Sequence, residues 1–161
     1  MDLNYRNIDI SQIKLKPSIK DSYEIDYQGS HIYLETPKLY IPFGIEKFYN
    51  AYSLNLQLRD ANEFEIFIES LEKHLIELLK IDSDKFTSQL RKNKKHDTLI
   101  YTKILNKNDK ILCEAKSKEG EHLNIFQIGK GIECQAKLLI DKVWYIKGKY
   151  TYKLKVKELI I

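Results

Sequence analysis

Apolar and polar positions alternate along most of this chain, and at one place the period changes. Tyr23, Ile25 and Tyr27 alternate with Glu24 and Asp26, and Ile32 and Leu34 share a face a few residues on. With Gln28-Gly29-Ser30 between them, the two segments predict a hairpin. Thr36-Pro37 interrupts the ladder, because proline has no N–H to give it. A short strand over 38–41 follows, ended by Pro42, and Gly44 permits a sharp reversal. Tyr52, Leu54, Leu56 and Leu58 then alternate with Ser53, Asn55, Gln57 and Arg59, a clear half-buried strand. The first twenty residues are weakly periodic and predict an irregular strand or an N-terminal arm.

The period then lengthens. Phe64, Phe67, Ile68, Leu71, Leu75, Leu78 and Leu79 recur at helical spacing, so residues 61–80 predict one long amphipathic helix. Asp60 and Glu63 have the spacing of a capping box, and Glu63, Glu65, Glu69, Glu72 and Glu77 fall on the wet side. Residues 85–90 suggest one more helical turn, and the basic run 91–96 an exposed loop. Period-two patterning returns over 98–105, 110–116, 123–128, 132–140, 143–146 and 150–160. Polar or glycine-bearing turns separate these segments, Asp141-Lys142 among them. No repeat or linker divides the chain, so 1–161 reads as one domain.

Roughly nine short strands around a single inserted helix fit a mainly β fold, a Greek-key barrel of the OB type with the helix plugging one end. A β-sandwich with an inserted helix fits the same pattern.

Composition adds limits. The 161 residues are 43% hydrophobic and 31% charged, a folded composition, and no apolar run is long enough for a membrane helix. The opening Met1-Asp2-Leu3-Asn4-Tyr5 lacks the order of a signal peptide, so an intracellular location is expected. Charge is more telling. Residues 1–90 carry 10 Lys/Arg against 15 Asp/Glu, whereas 91–161 carry 17 against 8. A basic second half implies an anionic partner, nucleic acid first among them, unless the lysines serve only to keep strand edges soluble.

No catalytic constellation is present. His31, His74, His96 and His122 show no metal-ligand spacing, and Cys113 and Cys134 alternate in phase with apolar neighbours as small buried residues. No metal or cofactor, and no enzymatic activity, is expected. The informative pattern is the interleaving of rings and cations in Trp144, Lys147, Lys149, Tyr150, Tyr152, Lys153, Lys155 and Lys157. A protein that holds single-stranded nucleic acid without reading it needs flat rings for the bases and cations for the phosphates. The competing reading is that Tyr150 and Tyr152, in phase with Leu154 and Val156, are core, and that the lysines line an opposite face without rings. The only long helix is acidic and unsuited to a major groove, which disfavours duplex recognition.

Two stretches carry a resemblance. Thr36-Pro37-Lys38-Leu39-Tyr40-Ile41-Pro42-Phe43-Gly44 and the run from Trp144-Tyr145-Ile146-Lys147-Gly148-Lys149-Tyr150 to Val156 are similar to segments of the OB-fold single-stranded DNA-binding proteins of nucleocytoplasmic large DNA viruses. They span about a seventh of the chain. The resemblance implies a non-catalytic protein that coats single-stranded DNA in viral replication, recombination or repair, in the host cytoplasm or nucleus. It marks Tyr40, Phe43, Trp144, Lys147, Lys149, Tyr150 and Lys153 as contacts. Related phage-type proteins end in an acidic tail that contacts replication partners. This sequence closes on Lys157-Glu158-Leu159-Ile160-Ile161, so recruitment through such a tail is not expected. RNA in place of DNA, self-association, or an adaptor role for the acidic helix or a sheet edge stay open.

Overall fold

The computed structural model describes residues 2–161; Met1, the first residue of the expected arm, lies outside them. In chain order the strands and the helix are β1 (Asp2–Asn4), β2 (Ile13–Pro17), β3 (Ser22–Tyr27), β4 (Ile32–Glu35), β5 (Leu39–Ile41), β6 (Ile45–Phe48), β7 (Ala51–Gln57) and α1 (Asn62–Leu79). After the helix come β8 (Phe86–Thr87), β9 (Leu90–Asn93), β10 (His96–Ile104), β11 (Asn106–Lys107), β12 (Lys110–Ile111), β13 (Glu114–Lys116), β14 (His122–Leu123), β15 (Ile132–Ile146) and β16 (Lys149–Ile160).

Five of these strands close a barrel. β5 pairs with β7, β7 with β10, β10 with β16, β16 with β15, and β15 returns to β5. Every contact is antiparallel except β10–β16. In order of appearance the barrel strands follow one another as first, second, third, fifth, fourth and first again, the closed Greek key of the OB type. Closure settles the choice between barrel and sandwich. The inward residues Leu39, Ile41, Leu54, Leu56, Ile100, Leu138, Ile140, Leu154 and Val156 make one core. They are the apolar phase of each alternation, because neighbouring strand residues must face opposite ways.

The helix lies between the second and third barrel strands. It buries Phe64, Phe67, Ile68, Leu71 and Leu75 in that core, while Leu78 at its end is exposed. Its start is not the expected capping box. Ala61 is the N-cap with no side-chain bond, Asp60 takes a left-handed φ of 50°, and Glu63 instead bridges Arg6 at 3.0 Å. Glu72, assigned by periodicity to the wet side, is buried. Its Oε2 accepts from the Tyr152 hydroxyl at 2.6 Å and from the Gln89 amide at 3.0 Å. Two donors offset the cost of taking that carboxylate out of water.

Other expectations fail for the same reason, that a neighbouring strand rather than a local turn satisfies the backbone. β3 and β4 do not pair as a hairpin; past a Tyr27–Ser30 bridge they follow one another along β15, against Val143 and Trp144 and then Ile140 to Lys137. Asp141-Lys142 is not a turn but a bulge within β15, since the register passes from Ile140↔Leu154 to Val143↔Tyr152. The basic run expected as a loop forms β9 and the start of β10. The expected helical turn over 85–90 is absent; the stretch holds the end of a 3-10 turn at Ser83–Lys85, the two residues of β8 and the first residue of β9. The stretches 110–116 and 123–128 each break into shorter pieces, the second ending in a 3-10 turn at Ile125–Gln127. In the first twenty residues, β1 pairs parallel to β4 and β2 antiparallel to β3.

Both cysteines are buried, and desolvation pushes each thiol up to about 12. Since the thiolate is the reactive form, neither Cys113 nor Cys134 should react with a thiol reagent in the native protein at pH 8. Labelling should appear only in denaturant, and fast native labelling at either position would contradict the burial.

Candidate nucleic-acid interface

The alternation that sends Leu54, Leu56, Ile100 and Thr102 inward sends another set outward. Across β7 and β10 the register pairs Gln57 with Leu99, Asn55 with Tyr101 and Ser53 with Lys103. β9 adds Arg91 opposite Leu99, and the Arg91 guanidinium lies 4.7 Å from the centre of the Tyr101 ring. In front of this wall the chain turns at Pro42-Phe43-Gly44, where Gly44 takes a φ of +75° that a side chain would oppose. Phe43 is left 57% exposed. Together Phe43, Gln57, Arg59, Arg91, His96 and Leu99 line an open groove of about 550 Å³.

The groove's lining mixes the apolar Pro42, Phe43 and Leu99 with polar and charged side chains. Arg59 sits 4.4 Å over the Tyr40 ring, its Nε donates to Gln57 at 3.0 Å, and Asp97 lies 3.6 Å away. The Tyr40 hydroxyl donates to Glu133 at 2.7 Å, and that carboxylate holds the phenol above its ordinary pKa. Lys92 is drawn off the wall by Glu69 of α1 at 2.6 Å, which raises its pKa. The acidic helix thus spends part of its charge on neighbours.

Further along the outer wall, Lys103 is paired with Lys155 across the parallel β10–β16 seam, and Lys153 is the previous outward residue of β16. Lys155 bridges Asp141 at 2.8 Å. Lys153 is held below its ordinary pKa, first by partial burial and then by the charges of Lys103 and Lys155. At the tip of the β6–β7 hairpin stand Phe48 and Tyr49, 73% and 83% exposed, with ring centres 4.6 Å apart. Lys47 lies 5.6 Å over Tyr52, and Tyr52 lies 5.1 Å from Phe126.

The residues singled out from sequence fall into separate groups. Tyr40 and Phe43 belong to the groove and its wall. Lys153 and Lys155 lie beside β10, and Lys157 covers the Tyr33 ring at 4.2 Å. Trp144 is half-buried under Lys142, which sits 5.8 Å away. Lys147 and Lys149 are exposed at the two-residue β15–β16 turn, and Tyr150 packs 4.9 Å from Tyr145. Tyr152 is corrected outright: it is 0% exposed, stacked 5.9 Å from Phe86, and cannot present a surface ring. Its phase with Leu154 and Val156 was the signal, since those residues face the core.

Sequence reasoning passed over Arg59, Arg91, Leu99, Tyr101 and Lys103, and with them Phe48 and Tyr49. The outward phase Leu99, Tyr101, Lys103 was visible within the 98–105 segment. The placement of Arg91 on Tyr101 was not, because it depends on β9 folding back on β10. Among the described residues no group of three His, Cys, Asp or Glu side chains is placed to hold a metal ion.

No protein-family model matches this sequence, and no curated protein does. Solved structures share its fold. The single-stranded DNA-binding protein gp2.5 encoded by bacteriophage T7 superposes with a TM-score of 0.58, covering 79% of this chain and 89% of that one at 12% identity. The single-stranded DNA-binding protein of bacteriophage Enc34, in complex with ssDNA, gives 0.56 over 92% of this chain and 94% of that one at 10% identity. Its C-terminal truncation gives 0.55, over 93% and 94% of the two chains, also at 10%. At such identities the likeness is one of fold.

Proposed function

We propose that this chain is a sequence-tolerant single-stranded DNA-binding protein, acting without catalysis in viral DNA replication, recombination or repair. The observation that carries the reading is the Arg91–Tyr101 pair beside Leu99 on the open wall of β7 and β10. A guanidinium lying on a phenol ring is a flat, cationic platform. It can stack on an unpaired base by either plane and can also pair with a phosphate. Every base offers a flat face to such a platform, so contact by stacking is tolerant of sequence. The neighbours of like fold are named for binding single-stranded DNA, and one of them is solved with it.

The viral setting belongs to the same proposal. The neighbours come from bacteriophages, and the two sequence stretches resemble proteins of large nucleocytoplasmic DNA viruses, which would place the protein in host cytoplasm or nucleus. An adaptor role for α1 is less well supported: Glu63 and Glu69 already bridge Arg6 and Lys92, and Glu72 is buried.

Fluorescence anisotropy with a labelled oligo-dT strand tests the reading. Binding should be firm at low salt, and log K should fall linearly with log salt, by about 0.7 per phosphate neutralised. A duplex of equal length should bind more weakly, and an RNA strand of matched sequence measures the DNA preference. No binding at low salt, or a preference for duplex, overturns the proposal.

A further inference from the structure

The parallel seam of the barrel places like charges side by side. Lys103 on β10 stands opposite Lys155 of β16 in register, and Lys153 is the outward residue just before Lys155, near enough for the Lys103 charge to bear on it. Neighbouring ammonium groups repel each other, and the repulsion is stronger where burial lowers the local dielectric. Asp141, from the β15 bulge, is the carboxylate that Lys153 feels, and it is already bridged to Lys155. Lys142, next in the bulge, is 3.9 Å from Glu24. Among the described residues no carboxylate pairs with Lys103 or Lys153. The cluster is therefore unbalanced in the free protein, and an anion placed between the two amines would remove the imbalance.

The position favours one kind of anion. Tyr101 precedes Lys103 by two residues on the same face of β10, so the two side chains leave the strand roughly 7 Å apart. A strand stacked by a base on the Arg91–Tyr101 platform carries its sugar-phosphate chain past that point. We propose that Lys103 and Lys153 together form the seat of a single backbone phosphate, a contact that rests on the single-stranded DNA reading and adds a defined anion site to it. A shared seat differs from a stripe of independent lysines, because losing either amine opens it.

The depressed pKa of Lys153 supplies a second readout. A phosphate stabilises its charged form, so at alkaline pH below the ordinary lysine value of 10.5 the complex holds more protons than the free partners and binding takes them up. The charged groups that face Lys153 are Lys103 from β10, Lys155 from its own strand and Asp141 from β15.

The experiment compares Lys103→Gln, Lys153→Gln and the double variant with wild type, by oligo-dT anisotropy over a salt series. Urea unfolding of each variant confirms its fold. Each single change should lower the salt slope by about 0.7, which at 0.1 M salt is about a fivefold loss of affinity. The double variant should lose no more than either single. Calorimetry over a series of alkaline pH values below 10.5, in buffers of different ionisation heat, should show proton uptake by wild type that Lys153→Gln abolishes. Unchanged slopes, or a double variant that loses twice as much as the singles, overturn the shared seat while leaving the binding itself standing. A wild-type protein that binds no oligonucleotide overturns both the seat and the function on which it rests.

Discussion

Replacing Tyr152 with alanine is expected to lower the unfolding free energy by about 3–5 kcal/mol, a large part of what holds a domain of this size together. The ring is wholly buried against Phe86, and its hydroxyl and carbonyl tie three segments into one network. The hydroxyl donates to Glu72 of α1, the amide of Gln89 donates to the same carboxylate, and the Gln89 side chain donates to the Tyr152 carbonyl at 2.8 Å and to the Thr151 hydroxyl at 2.9 Å. Alanine removes the ring and leaves a buried carboxylate short of a donor. Tyr152→Phe separates the two effects: it keeps the ring, and its cost should be about 1–3 kcal/mol.

The pH dependence has a definite sign. Burial, then the Glu72 charge, raises the Tyr152 pKa well above the ordinary 10.0. A raised folded-state value means full stability below the unfolded pKa and loss above it, because the unfolded chain gives up that proton first. The gap between wild type and Tyr152→Phe should therefore be constant below about pH 10 and narrow above it. Urea unfolding at several pH values measures both quantities. An alanine variant within about 1 kcal/mol of wild type would show that the network does not hold helix to barrel.

Removing the stacking platform should strike binding and spare the fold. Arg91 is exposed and Tyr101 half-exposed, so the Arg91→Ala/Tyr101→Ala pair should unfold close to wild type. Each base stacked on such a surface is worth about 1–3 kcal/mol, so the loss in single-strand affinity should be about 10- to 100-fold. Arg91→Lys is the sharper variant. It keeps the charge and loses the plane, so the salt slope should stay while the affinity falls. A double variant that binds oligo-dT like wild type would show that the strand runs elsewhere on the barrel.

The long-period helix and the alternations of 51–57 and 150–160 were legible because a half-buried element writes its face into neighbouring residues. The groove was not, since its parts come from Phe43, Arg59, Arg91 and Leu99, which only barrel closure brings together. The tyrosines of β16 show the limit in one strand. Alternation groups Tyr150 with Tyr152, yet the strand runs from an exposed turn into the barrel, so the first ring is half-exposed and the second is buried. Arg91 was hidden differently. A basic hexapeptide has no apolar phase to announce a strand, and only the folding back of β9 on β10 reveals it.

One feature of the topology bears on how the protein is made. β3, β4 and β5 all take ladder partners from β15, and β1 joins the sheet only through β4. About ninety residues separate the end of β5 from the start of β15. At roughly 5–20 residues per second a ribosome needs some 5–20 s to cover that distance. For that interval β2 and β3 can pair with each other and β5 with β7, while β1 and β4 have no partner that ties them to the barrel until its spine emerges.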